Sequence, residues 1–214
     1  SNTYRMSSSG DGVALARDPN NDLMWRHDMR RLSAEEIRDS ILNLTGQLNL
    51  KMGGPSIYTE VPKDVLATAS RPGAAWGKSP EEERNRRSVY IYVKRSLHEP
   101  FLSAFDWADT DNTCDVRFVT TVPTQTLTLL NSKFLNDSAE SLAKSLAKAV
   151  PGDSKAQVTR ALHLATSRKP TGEEVDDGLE LIQGLKAEAK LDDNEALQRF
   201  CLLVLNLNEF LYLD

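Results

Sequence analysis

Three helix-start signals, each followed by apolar residues at helical spacing, constrain this chain more than anything else in it. Ser33 precedes Glu36 by three residues, Thr171 precedes Glu174, and Asp192 precedes Glu195. In each pair, one side chain can accept from an orphan N–H of the first turn while the other reaches back to the cap residue. After Ser33, Ile37, Ile41, Leu44 and Leu48 line one face, predicting a helix from about Ala34 to Leu48. After Thr171, the face is Val175, Leu179, Ile182 and Leu185. After Asp192, Leu197, Phe200, Cys201, Val204 and Leu205 are apolar on more than one side, which predicts a helix central to a bundle.

Between these signals the rear half stays helical. Pro123 suits the first helical position, and Leu127, Leu130, Phe134 and Leu135 begin a stripe. Residues Asn131 to Ser138 are the place for a kink or break. Ala139, Leu142, Ala143, Leu146, Ala147 and Val150 then continue until Pro151-Gly152. Ser154 can cap the next helix, with Val158, Leu162 and Ala165 inward. Short loops make such helices antiparallel neighbours.

The front half is less regular. Ser1 to about Asn21 reads as a loop or docked arm, and Leu23 to Met29 as one or two helical turns. From about Lys51 to Asn85, prolines and glycines accumulate with little periodicity; connections of that length are usually functional or flexible. Pro80 to Arg87 is charged throughout and suits a helical turn. Ser88 to Lys94 is a strand by propensity, with a buried helix left open, and Val116 to Val122 is a second β-like run. The expected fold is mainly α: residues 1–125 form an arm, a capped helix and a loop-rich region with at most two short strands, packed on a helical bundle formed by residues 126–214.

With 214 residues, 40% apolar and 27% charged, the chain can bury a sizeable core. Its net charge of −5 argues against a broad nucleic-acid footprint. No apolar run approaches the roughly 20 residues that cross a bilayer. Ser1 to Gly10 is polar and lacks a signal-peptide core, and the missing initiator Met reads as a fragment or processed chain. Of the two cysteines, Cys201 reads as core and Cys114 as an exposed loop thiol; a disulfide between them stays open. Neither forms the C-x-x-C-H pattern of covalent haem attachment, so no cofactor is expected in this segment.

Several groups invite chemistry. In the acidic loop Asp106 to Asp115, Asp109 and Asp111 match the first two oxygen ligands of an EF-hand-like Ca²⁺ loop. Cys114 occupies the glycine position and Thr120 replaces the terminal Glu, so that match fails; a looser Ca²⁺ site or backbone-capping turns remain. None of the three histidines has a zinc-type partner at ligand spacing. His163 reads as structural, while His27 and His98 lie near arginines and carboxylates and are the better acid–base candidates. Arg30, Arg31, Arg86, Arg87, Arg95 and Arg117 flank the irregular region. If several converge, Arg31, Arg87 and Arg117 would form an anion pocket, since guanidinium forks fit carboxylate, sulfate or phosphate. Otherwise they pair with Glu35, Asp39, Asp106 and helix C-termini and stitch the loops to the bundle. Gly53-Gly54-Pro55-Ser56 reads equally as an anion nest or a tight turn. No nucleophile elbow, dinucleotide fingerprint or P-loop occurs.

A set of short motifs runs along nearly the whole chain. They are Tyr4-Arg5-Met6-Ser7-Ser8, Asp18-Pro19-Asn20, Trp25-Arg26, Arg30-Arg31-Leu32 with Glu36-Ile37-Arg38-Asp39, and Gly53-Gly54-Pro55-Ser56. Further on come Arg87-Ser88-Val89-Tyr90, Phe105-Asp106, Cys114 with Arg117, Thr121-Val122-Pro123-Thr124-Gln125 with Leu129-Leu130-Asn131, and Asn208-Glu209-Phe210-Leu211-Tyr212. In this order they resemble a planctomycete-type family of unknown function, the C-terminal part of large secreted proteins in which a cytochrome-c-like domain commonly precedes it. Met6 departs from the polar residue usual in the first motif. The resemblance implies an extracytoplasmic setting, other domains of a parent protein as partners, and proximity to redox or polymer-degrading machinery; it carries over no catalytic residue. Two functions follow. One is a non-catalytic structural or interaction module. The other is a hydrolase or redox-assisting enzyme on an extracellular polymer such as an acidic glycan, with a pocket of Arg31, Arg87, Arg117, His98, Asp39 and Asp106.

Overall fold

A computed structural model describes residues 5–67, 76–110 and 113–213. Its rear half is built from α6 (Pro123–Asn131), α7 (Lys133–Ala149), α8 (Ser154–Thr166), α9 (Gly172–Glu188) and α10 (Asp193–Val204). The helix α10 lies at the centre and packs on α7, α8 and α9. Burial explains that place: Ala196, Leu197, Phe200, Cys201, Leu202 and Val204 are all buried, and a narrow stripe of Glu195, Arg199 and Leu203 is what α10 leaves to water. Against it, α9 brings Gly178, where an added Cβ would come 2.8 Å from Val158 and 2.9 Å from Phe200. Three helices cannot approach that closely with a larger residue there.

The caps fix where the helices start. Capping boxes form at Ser33, Thr171 and Asp192 with their paired glutamates. Pro123 opens α6 at a first-turn position. The expected break falls at Ser132, which ends α6 and accepts from the Leu135 N–H to start α7. Asp153, one residue before the expected Ser154, caps α8 by accepting from Ala156 N–H at 2.9 Å.

The front half holds short helices strung along irregular chain: α1 (Gly12–Arg17), α2 (Ala34–Leu44), α3 (Lys63–Ala67), α4 (Glu81–Arg84) and α5 (Pro100–Ala104), with a tight 3₁₀ turn at Ser88–Tyr90. The helix α2 buries Ile37 and Ile41 and stops at Leu44, short of the expected Leu48, because the chain turns through Gly46 at φ +71°. Leu23 to Met29, expected as a helical turn or two, instead forms turns tied to the Asp18 carboxylate, which accepts from the N–H groups of Asp22 and Leu23.

The fold is mainly α, with one two-stranded sheet among the described residues. The strands are not the expected ones. Strand β1 (Arg30–Arg31) pairs antiparallel with β2 (Tyr212–Leu213), which follows α11 (Asn208–Leu211). Ser88 to Lys94 supplies only the 3₁₀ turn and an isolated bridge of Ile91 to Ile57, and residues 116–122 join no ladder. Tertiary hydrogen bonds override β-propensity there: the Asp39 carboxylate takes the N–H and hydroxyl of Ser88, each at 2.7 Å. A single apolar cluster runs from Ala34 through α5 and the bundle to Leu211.

Candidate functional site

The irregular front is held by three buried arginines. Arg31 leaves β1 and donates to Thr120 O at 2.5 Å, Gln125 Oε1 at 2.9 Å, Phe105 O at 3.4 Å and Asp106 Oδ2 at 2.6 Å. Asp106 turns in the left-handed region at φ +61°, which suits Asp among non-glycine residues, and also accepts from the N–H and hydroxyl of Thr120. Burial pulls the Asp106 carboxyl up, but Thr120 and Arg31 together outweigh it and hold the group below the ordinary aspartate range.

Arg38 leaves α2 one residue after Ile37 and donates to Arg86 O, Ser88 Oγ and Arg84 O. Arg86, 1% exposed, donates to Lys51 O, Pro55 O and Gly53 O, and stacks on Tyr90 at 3.8 Å. The Gly53–Ser56 turn is thus occupied from within by Arg86, while the Gly53 N–H donates to the Tyr90 hydroxyl.

These contacts place the sequence candidates. Arg31 and Asp106 come together. Arg87 faces Asp39 at 3.5 Å and Arg117 pairs with Glu35 at 2.6 Å. The three guanidinium groups expected to converge each sit with a different carboxylate, so the stitching arrangement is the one formed. Trp107 packs edge-on to His98, which shares a 3.0 Å hydrogen bond with Thr110 on a shallow surface hollow. His27 hydrogen-bonds through its backbone N–H to Ser7 O, and His163 caps the end of α8 through Arg168 O. Of the proposed Ca²⁺ loop, Asp106 is committed to Arg31 and Thr120, and Asp111, like Tyr4, lies outside the described residues. Among the described residues, no group of three or more His, Cys, Asp or Glu side chains is placed to hold a metal ion. Cys114 is exposed and Cys201 buried, both as free thiols.

One concave feature lay outside the sequence reading. A cleft of about 640 Å³ opens between Thr59–Lys63, α4, α5 and the outer face of α7. Its floor is Glu99, 6% exposed, whose carboxylate caps α5 by accepting from Leu102 N–H at 2.7 Å. Burial pushes the Glu99 carboxyl above the ordinary range, against the pull of Leu102 N–H and the Arg38 charge. The signal for it was readable: Glu before Pro100 is a capping residue ahead of a first-turn proline, yet Pro100 to Phe105 reads as loop without helical length.

A family model described as a protein of unknown function (DUF1553, PSD1) matches residues 1–182. The chain belongs to this family. Among curated proteins and among solved structures, nothing matches. The DUF1553 match ends inside α9.

Proposed function

We propose that this DUF1553 chain is a non-catalytic interaction module, the C-terminal part of an exported multidomain protein. The observation carrying the reading is that the buried arginines Arg31, Arg38 and Arg86 direct their terminal guanidinium N–H groups to partners inside the chain. Arg31 uses four hydrogen bonds on its own loops, Arg38 uses two backbone carbonyls and the Ser88 hydroxyl, and Arg86 uses three backbone carbonyls and the Glu83 carboxylate. A catalytic anion pocket needs donors left over for the substrate.

Its contact face is the run Val116 to Val119. Val116, Phe118 and Val119 are 78%, 84% and 65% exposed. Among the described residues, no main-chain N–H from 116 to 119 donates a hydrogen bond. Apolar side chains on unpaired backbone are what an added strand requires. The partner in this reading is an extended edge of a preceding domain of the same polypeptide. The resemblance to planctomycete-type secreted proteins supports that partner, a cytochrome-c-like domain among its candidates, and an extracytoplasmic setting.

Hydrogen exchange tests this on the chain alone and joined to its parent. Amides 116–119 should exchange freely in the isolated chain and gain at least tenfold protection in the parent, with Phe118→Ser reducing the protection. Equal exchange in both contexts overturns the reading.

A further inference from the structure

We propose that the cleft above Glu99 binds a neutral polyhydroxyl compound, such as a single sugar ring. The inference does not rest on the docking strip and concerns the opposite kind of partner. It starts from which groups in the cleft are already used. At the mouth, Lys133 pairs with Asp137 and Glu60, and Arg84 pairs with Glu60. Glu81, Glu140 and Lys63 add further charges of both signs, and Arg38 faces Glu99 deeper in. The two signs nearly balance, so the cleft offers a charged ligand little net attraction.

What remains inside is hydrogen-bonding capacity that neither ion pairs nor backbone use. Thr59 is 9% exposed and lines the cleft. Its hydroxyl lies against the Glu99 carboxyl, close enough to favour the ionised form but outside ordinary hydrogen-bond geometry. The Arg84 Nε–H is buried and also without a partner. A buried donor or acceptor left unpaired is costly, so these positions favour a ligand that supplies both functions. A carbon-bound hydroxyl donates and accepts at once, and adjacent hydroxyls of one ring present that pair repeatedly. Phe101 and Phe134 supply apolar wall beside the polar floor, matching the mixed faces of such a ring.

Glu99 fits the same chemistry. Its carboxyl is anchored on α5 by Leu102 N–H, with the Phe101 N–H and the Thr59 hydroxyl also against it, and the residue lines the cleft. In either protonation form the carboxyl can accept from a ligand hydroxyl. The volume falls in the range of small-molecule sites, roughly 300–1,000 Å³.

The experiment is NMR titration of the whole chain with glucose, galactose and myo-inositol, alongside glucuronate and glucosamine as charged counterparts. At least one neutral compound should shift the methyl signals of Val61 and Thr59 saturably, with the charged counterpart binding at least tenfold more weakly. Thr59→Val should weaken binding roughly fivefold to tenfold, the scale of one hydrogen bond. Glu99→Gln tests the floor, and since it also alters a helix cap, Thr59→Val keeps the test independent of folding. Saturable shifts confined to other regions, equal or tighter binding of glucuronate or glucosamine, or unchanged affinity in Thr59→Val would overturn the assignment.

Discussion

Asp106→Asn is the sharpest test of how the front half is held. The substitution keeps the size of the side chain and its tolerance of the left-handed backbone at φ +61°. It removes the charge facing Arg31, whose side chain is 4% exposed against 19% for Asp106. Breaking a buried ion pair from one side costs about 3–5 kcal/mol, because the surviving charge stays buried without its partner. Water reaches Asp106 in part, so about 3 kcal/mol is the expectation. In a chain of this size each kcal/mol lowers the melting temperature by about 2–4 °C, giving a fall of about 6–12 °C. Asp106→Ala should lose about 1 kcal/mol more, since alanine strains in the left-handed region. Chemical denaturation of wild type, Asp106→Asn, Arg31→Met and the double variant measures the coupling, expected above about 1.5 kcal/mol. The pH dependence has a definite sign. The Asp106 carboxyl is depressed, so its stabilisation is complete above the ordinary aspartate range and lost as pH falls through the depressed value. Wild type and Asp106→Asn should therefore converge in acid. A loss below 0.5 kcal/mol at neutral pH, or additive single effects, would refute the account.

Two more predictions concern the bundle and the thiols. Gly178→Ala should destabilise by about 1–2 kcal/mol, because the clash with Val158 and Phe200 exceeds the helix-propensity gain, whereas Gly184→Ala, whose Cβ meets nothing within 4 Å, should stabilise by about 0.5–1 kcal/mol. Thermal melts of the two variants check this, and a stabilised Gly178→Ala would show that the α8–α9–α10 contact is looser than described. An aromatic disulfide reagent should titrate one thiol, Cys114, in the native chain and the second only on unfolding, since burial pushes Cys201 up to about 12; two fast thiols would contradict the buried place of Cys201.

What could be read from the residues divides along a physical line. The bundle was legible because its instructions are local and repeated: an acceptor side chain, a glutamate three residues later, and then an apolar residue every third or fourth place. The central position of α10 followed from apolar residues on more than one of its sides. The sheet was not legible, since strands of two residues, Arg30–Arg31 and Tyr212–Leu213, carry no period to detect. Ser88 to Lys94 and Val116 to Val122 misled for the converse reason, having strand propensity but no ladder partner.

The arginines lie on that same line, and they say what the front half is. An irregular chain leaves its carbonyls without the partners that a helix or sheet would provide, and buried carbonyls cannot stay unpaired. Here the carbonyls of Lys51, Gly53 and Pro55 go to Arg86, those of Arg84 and Arg86 to Arg38, and those of Phe105 and Thr120 to Arg31. The sequence marks every donor, because arginine is visible, but marks none of these acceptors, because each residue carries the same carbonyl. Guanidinium groups thus take the place of secondary structure across the front of this chain. A lysine at any of the three positions would keep the charge and lose the fork that reaches two carbonyls at once. The carboxylates then fall into second place: Asp39 and Asp106 orient the segments that the arginines close. That ordering explains why residues with the look of a catalytic pocket are engaged with one another, while two of the buried polar atoms left without a partner, Thr59 Oγ1 and Arg84 Nε, lie in the cleft above Glu99.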